Sequence, residues 1–279
     1  MDQHVCLLHN SGIMISRPPM ARRRFHHTTR HVRVLGTGIV LIALAGCVSL
    51  PGARPVAGLV HVPQRTWDGA LVPARATVPA TLDNGRMFVT LTFRRPDGRS
   101  RPALAWVNMG MGGLSLAPPL REELGQDKPV SFSIGAMPVT VDAAAVLPAP
   151  ADDFAQQLGP MPVEAILPAG VLRQFRVTLD YVGRGGAGPS LALAQPSDTP
   201  APGVAVPVQV NEGTGLISAD AEVDGRRYPV VIDSGAGYSW WRGGAVRDWL
   251  ATHPDWLRAQ GAVGALKTPL IFRSHRTFR

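Results

Sequence analysis

Two glycine-rich segments hold the residues best placed to do chemistry. One is Asn108-Met109-Gly110-Met111-Gly112-Gly113; the other is Asp233-Ser234-Gly235-Ala236-Gly237. Each directly follows an apolar run, Leu104-Ala-Trp-Val107 in the first case and Pro229-Val-Val-Ile232 in the second. Asp233 brings a carboxylate, which accepts hydrogen bonds and can take a proton from water. Asn108 stands at the matching place. Its carboxamide can hydrogen-bond a water or a neighbouring carboxylate but takes no proton near neutral pH. The glycines let each loop turn tightly and let backbone approach other groups closely.

The chain supplies little for other chemistries. Of eight histidines, five (His4, His9, His26, His27, His31) precede residue 34, leaving His61, His253 and His275. A zinc cluster or a Ser-His-Asp triad has little to draw on. The two cysteines, Cys6 and Cys47, make neither a disulfide framework nor a metal site. No metal and no cofactor is expected. Gly183-Arg-Gly-Gly-Ala-Gly188 fits a dinucleotide fingerprint, but the following Pro189-Ser-Leu-Ala-Leu-Ala194 opens with proline and alternates. No helix is there to receive a phosphate, and the segment reads as a hairpin turn. Gly113-Leu-Ser115-Leu-Ala117 has the outline of a nucleophile elbow without a nearby histidine. Trp240, Trp241, Trp249 and Trp256 cluster, and Trp249 and Trp256 fall on one helical face, which predicts core packing.

The elements that must position the two loops are repeated. Asp97-Gly-Arg99, Leu104–Val107, Asn108–Ser115 and Arg121-Glu-Glu-Leu124 have counterparts in Asp224-Gly-Arg226, Pro229–Ile232, Asp233–Ser239 and Arg247-Asp-Trp-Leu250. Each copy reads turn, apolar strand, glycine-rich loop, short helix, which predicts a duplicated lobe. Met87–Phe93 alternates as a strand does, and Ser131–Val141 reads as a hairpin turning at Gly135, either a flap over a cleft or scaffold. Composition agrees with a mostly β chain. Of 279 residues, 45% are hydrophobic and 6% aromatic, with 30 Gly and 26 Pro for turns.

The strand leading into Asp233-Ser234-Gly235-Ala236 resembles the catalytic loop of aspartic peptidases. That family carries Asp-Thr/Ser-Gly after an apolar strand, once in each half of a two-lobed β-rich molecule. Ala165-Ile-Leu-Pro-Ala-Gly-Val-Leu-Arg-Gln-Phe-Arg-Val-Thr-Leu-Asp-Tyr181 is similar to the lobe-closing segment of bacterial retropepsin-like domains: apolar strand, short helix, final strand. The resemblance spans 81–264. It implies acid-protease-like β-barrel lobes, one full at 81–196 and one partial at 207–264, joined by a linker at 197–206. It also implies that Asp233 is the catalytic carboxylate, that Ser234 and Gly235 shape its loop, and that Asn108 is the degenerate counterpart. Peptide hydrolysis in the family uses two carboxylates sharing one proton. With Asn108 in one place and Met109 where Thr or Ser belongs, weak or absent hydrolysis is expected. The alternatives are a non-catalytic peptide-binding or structural protein, and a homodimer that pairs Asp233 from two chains. A peptide or protein is the expected partner.

Charge excludes another class. The net charge is +8, but residues 1–46 carry +5 and 265–279 carry +4, so the body is close to neutral. A nucleic-acid binder concentrates basic charge on its folded body. The basic stretch from Met20 to Arg33, taken as the true start, precedes an apolar run, Val34–Gly46, too short to span a bilayer comfortably. Its end, Leu44-Ala45-Gly46-Cys47, resembles the bacterial lipobox. That implies a signal region at 1–46, a lipidated Cys47, and a lipoprotein anchored in the bacterial cell envelope, facing the periplasm or exterior. Residues 47–80, rich in Pro and Gly, read as a tether. After Asp233 the closing segment does not recur, and 265–279 is basic, with no acid and no Gly. A premature stop or frame change in the gene is the expected cause of the partial second lobe.

Overall fold

The computed structural model describes residues 58–148, 158, 161–183, 186–196, 203–236, 248–249 and 251–253. The expected signal region, Cys47 and the basic tail lie outside them, as do Trp240, Trp241 and Trp256. The fold is mostly β, built from an 11-stranded curled sheet and a 3-stranded sheet.

Local turn chemistry sets the first hairpins. β1 (Val60–His61) is followed by β2 (Arg75–Asp83), β3 (Arg86–Arg94) and β4 (Ser100–Asn108). Asn84 and Gly85 both have positive φ (48° and 76°), the conformation that a tight two-residue hairpin between β2 and β3 requires. β3 then pairs with β4 from Met87 to Arg94. Its other edge is divided: Arg86–Val89 pairs with β2, while Thr92 and Phe93 pair with β6 (Val130–Ile134). This fork curls the sheet. One branch continues through β6 to β7 (Met137–Val141) and β1; the other runs through β2 to β11 (Ser190–Ala194) and β10 (Arg176–Asp180).

The enclosed core contains Leu91, Phe93, Phe132 and Ile134, all fully buried, with the Phe93 and Phe132 rings 5.3 Å apart. On the sheet's other face, Phe88, Trp106, Val163 and Ile166 form a second cluster. The short helix α1 (Pro118–Leu124) buries Leu120 and Leu124, one turn apart on one side, and ends at Gly125.

One strand is out of sequence order. β9 (Val163–Pro168) lies between β4 and β5 (Leu114–Leu116), parallel to the first and antiparallel to the second. Arg101 at the start of β4 grips Glu164 on β9 through two bonds of 2.7 and 2.5 Å, and this pairing raises the Arg101 pKa above its ordinary value. β8 (Val146–Pro148) continues beyond β5, and the helix α2 (Ala169–Leu172) follows β9 directly. The closing segment therefore has the order read from sequence: strand, short helix, strand β10. The glycine-rich segment after it is part of the connection that turns β10 antiparallel onto β11.

The sheet refines two readings of the sequence. Sheet pairing starts before residue 81: β1 pairs with β7, and Arg75–Pro79 of β2 pairs with β11, so two stretches of the expected 47–80 tether are built into the sheet. The β6–β7 hairpin is scaffold rather than flap. Its turn packs on β2, so close that a Cβ on Gly135 would stand 2.9 Å from Val78.

The second sheet comprises β12 (Gln209–Val210), β13 (Ile217–Val223) and β14 (Arg226–Val231). Asp224 and Gly225, both at positive φ, form the tight turn between the last two. Ile217 is buried in the same core as the curled sheet, with Val208, Val210, Leu216 and Ile232 packed against it. The opposite face is open, and Val231 is 57% exposed. Trp249 packs edge-on against Tyr228 and donates its indole N–H to the Tyr228 hydroxyl at 2.8 Å. His253 Nε2 lies 2.9 Å from Asp224 Oδ2. Among the described residues no helix is long and apolar enough to cross a membrane.

Candidate functional site

Asn108 is the last residue of β4, paired with Pro168 at the end of β9. Asp233 follows β14 by one residue. Each strand thus delivers one loop, and the fold brings the two loops face to face. Asn108 is 6% exposed, one of two buried polar residues among those described, whereas Asp233 is open to solvent.

The loops clasp each other through backbone donors. Gly110 N–H is shared between Asn108 Oδ1 at 2.9 Å and Asp233 Oδ1 at 3.1 Å. Gly235 N–H also donates to Asp233 Oδ1, at 2.8 Å. Because an N–H only donates, these contacts assign Oδ1 of Asn108 as its acceptor atom. The Ser234 hydroxyl donates to Val107 O at 3.1 Å and accepts Met109 N–H at 3.2 Å, joining segments 125 residues apart. Met109 returns no such contact. Its thioether side chain is buried in the core instead.

Steric fit makes the arrangement reciprocal. A Cβ on Gly110 would lie 2.4 Å from the Asp233 carboxylate, and one on Gly235 would lie 2.3 Å from the Asn108 carboxamide. Each glycine is the floor under the other loop's polar head group.

A second contact docks the small sheet. The loop between β12 and β13 lies on α2: Gly215 approaches the Ala169 carbonyl, Thr214 rests against Gly112, and the Arg173 guanidinium donates to Glu212 O. Asn211 Oδ1 accepts both the amide and the hydroxyl of Thr214, which fixes the turn.

Of the residues singled out in the sequence, Asn108, Asp233, Ser234 and Gly235 come together here. Cys47 lies outside the described residues. Tyr181, quoted above only as the end of the closing segment, gains a part in the site's electrostatics. Burial pushes its phenol pKa up, and the negative charge of Asp233 adds to this, so it stays a neutral hydrogen-bonding group. No local pattern announces that proximity, since it follows from how β10 packs.

Replacing Ser234 by Ala removes a hydroxyl that satisfies one carbonyl and one N–H across the junction. The expected cost is about 1–3 kcal/mol in urea unfolding, with faster exchange at the Met109 amide. Unchanged stability and unchanged exchange would show that the clasp contributes nothing.

No family model and no curated protein matches the chain.

Proposed function

We propose that the facing loops are the floor of a peptide-binding cleft of the aspartic-peptidase type, in which hydrolysis is weak or absent. The observation that carries this reading is the single Gly110 N–H shared by Asn108 and Asp233. It sets one carboxylate beside one carboxamide at the junction of two apolar strands. Asp233 Oδ2 remains an acceptor and Asn108 Nδ2 a donor. Together they complement a peptide unit, which offers one N–H and one C=O.

The same pair lacks what hydrolysis needs. Asp233 can draw a proton from water. The departing amine must then be protonated, and Asn108 has no acidic proton to give. Losing one acid–base partner reduces rate by about 10²–10⁴, and more when the partners act as a unit. The homodimer alternative is less well supported, because Asp233 already faces Asn108 of its own chain. Lipidation at Cys47 and a place in the bacterial envelope belong to this reading on the strength of Leu44-Ala45-Gly46-Cys47.

The test pairs binding with turnover. Purified protein should bind a statine-type peptide saturably, with binding weakened in Asp233→Ala, and should leave an unbiased peptide library uncut from acid to neutral pH. Robust cleavage by the wild-type chain that disappears in Asp233→Ala overturns the non-hydrolytic reading. Absence of any peptide binding overturns the cleft itself.

A further inference from the structure

Arg94 pairs with Ser100 at the end of the β3–β4 hairpin, whereas Met87, at the other end, pairs with Val107 beside the site. A recess of about 260 Å³ opens at the Arg94 end, far from Asn108 along the strands. Arg94, Arg95, Lys128 and Ser131 line it, and Leu124 and Pro129 supply apolar wall; among the described residues no carboxylate lines it.

These cations are poorly compensated. Among the described residues neither Arg94 nor Lys128 forms an ion pair. Arg94 is held over the Trp67 ring, 5.9 Å from its centroid. Arg95 reaches Glu123 only at 3.7 Å and Asp97 only at 3.8 Å. Those carboxylates are shared, Glu123 with Arg101 at 3.5 Å and Asp97 with Arg99 at 2.6 Å. Arg95 Nε, the atom that faces Asp97, is buried and makes no hydrogen bond.

We propose that this recess binds a phosphate group. Three cations suit a ligand with several acceptor oxygens and more than one unit of charge. A carboxylate, with two oxygens and one charge, would satisfy one guanidinium and leave the others uncompensated. Two sources share this chemistry, a soluble phosphate and a lipid headgroup that ends in a phosphomonoester, as phosphatidic acid does. The entry point of the chain favours the headgroup. Val60 pairs with Val141, which pairs with Val130, next to Ser131. The chain therefore joins the body only about 10 Å, two strand spacings, from the recess wall. If Cys47 is lipidated, the short segment up to Gly58 keeps that edge within about 40 Å of the membrane. The choice of headgroup rests on the lipoprotein reading; the phosphate chemistry does not.

The experiment titrates the full chain, purified in a neutral detergent, with inorganic phosphate and with a soluble short-chain phosphatidic acid. Saturable binding of either is expected. It should weaken about tenfold or more in Arg94→Gln/Lys128→Gln. It should be unchanged in Arg226→Gln/Arg227→Gln, which removes the same charge from exposed positions of β14. Tighter binding of phosphatidic acid identifies the headgroup as the ligand, and tighter binding of inorganic phosphate a soluble one. Absence of saturable binding, or equal weakening in both double variants, overturns the site. Intact mass of the membrane fraction reads Cys47 lipidation separately, so its failure is distinguishable from failure of the recess.

Discussion

Alanine at Gly110 or at Gly235 is expected to force the two loops apart. The added methyl would sit 2.4 Å from the Asp233 carboxylate in the first case and 2.3 Å from the Asn108 carboxamide in the second. Neither neighbour can easily yield. Two backbone N–H groups hold the Asp233 carboxylate, and Asn108 is buried at a strand end. Overpacking of this kind typically costs about 1–3 kcal/mol, occasionally more. Gly98→Ala is the comparison. Gly98 has φ of 80° but open space around it, so that variant suffers backbone strain alone. Denaturant midpoints and peptide binding should separate the cases: all three variants lose stability, but only Gly110→Ala and Gly235→Ala lose the site. Retained peptide binding in both junction variants would refute the interlocked geometry.

The second large effect is expected from Asn108→Asp. It places a second carboxyl where one N–H now serves both head groups. Like charges this close cannot both ionise cheaply, so one of the two carboxyls should have its folded pKa raised above the unfolded value of about 3.9. The sign follows from linkage. A raised folded pKa gives stability that is fully present below the unfolded pKa and lost as pH rises through the folded one. The variant should therefore approach wild-type stability in acid and fall about 1–3 kcal/mol below it at neutral pH. The same proton sharing supplies the missing acid, so cleavage of a bound peptide should rise by about 10² or more in acid. A stability difference that does not change with pH would show that the carboxyls do not meet.

The parts of this molecule that were legible in its sequence are those governed by short-range rules. Asp97-Gly98 and Asp224-Gly225 are turn residues, the runs after them are apolar, and the glycines follow at once. Each of these facts constrains only its own few residues, and all of them survive folding. What stayed hidden depends on partners far along the chain. Arg75–Pro79 looks like linker because it contains proline and charge, yet β11 supplies its backbone partners. The β6–β7 hairpin is identifiable as a hairpin, but only the contact of Gly135 with Val78 decides that it is scaffold. Tyr181, and the turn made by Asn211 and Thr214, carry no signature of their own. The basic recess draws Arg94, Lys128 and Ser131 from separate elements, so no charge run marks it.

The position of β9 sets an order of assembly. β4 and β5 follow each other closely in the chain but cannot zip together as neighbours, because the strand that separates them is made dozens of residues later. An early β4–β5 pairing would have to be undone before β9 could enter. Nascent chains lengthen by about 5–20 residues per second, so β4 waits for seconds with an unpaired edge. Such non-local closure slows folding and exposes strand edges to association. The loop bearing Asn108 springs from that waiting edge, and its partner Asp233 emerges later still. The Asn108–Asp233 junction therefore forms late, and conditions that hurry or crowd synthesis should harm it before they harm the β2–β3 hairpin.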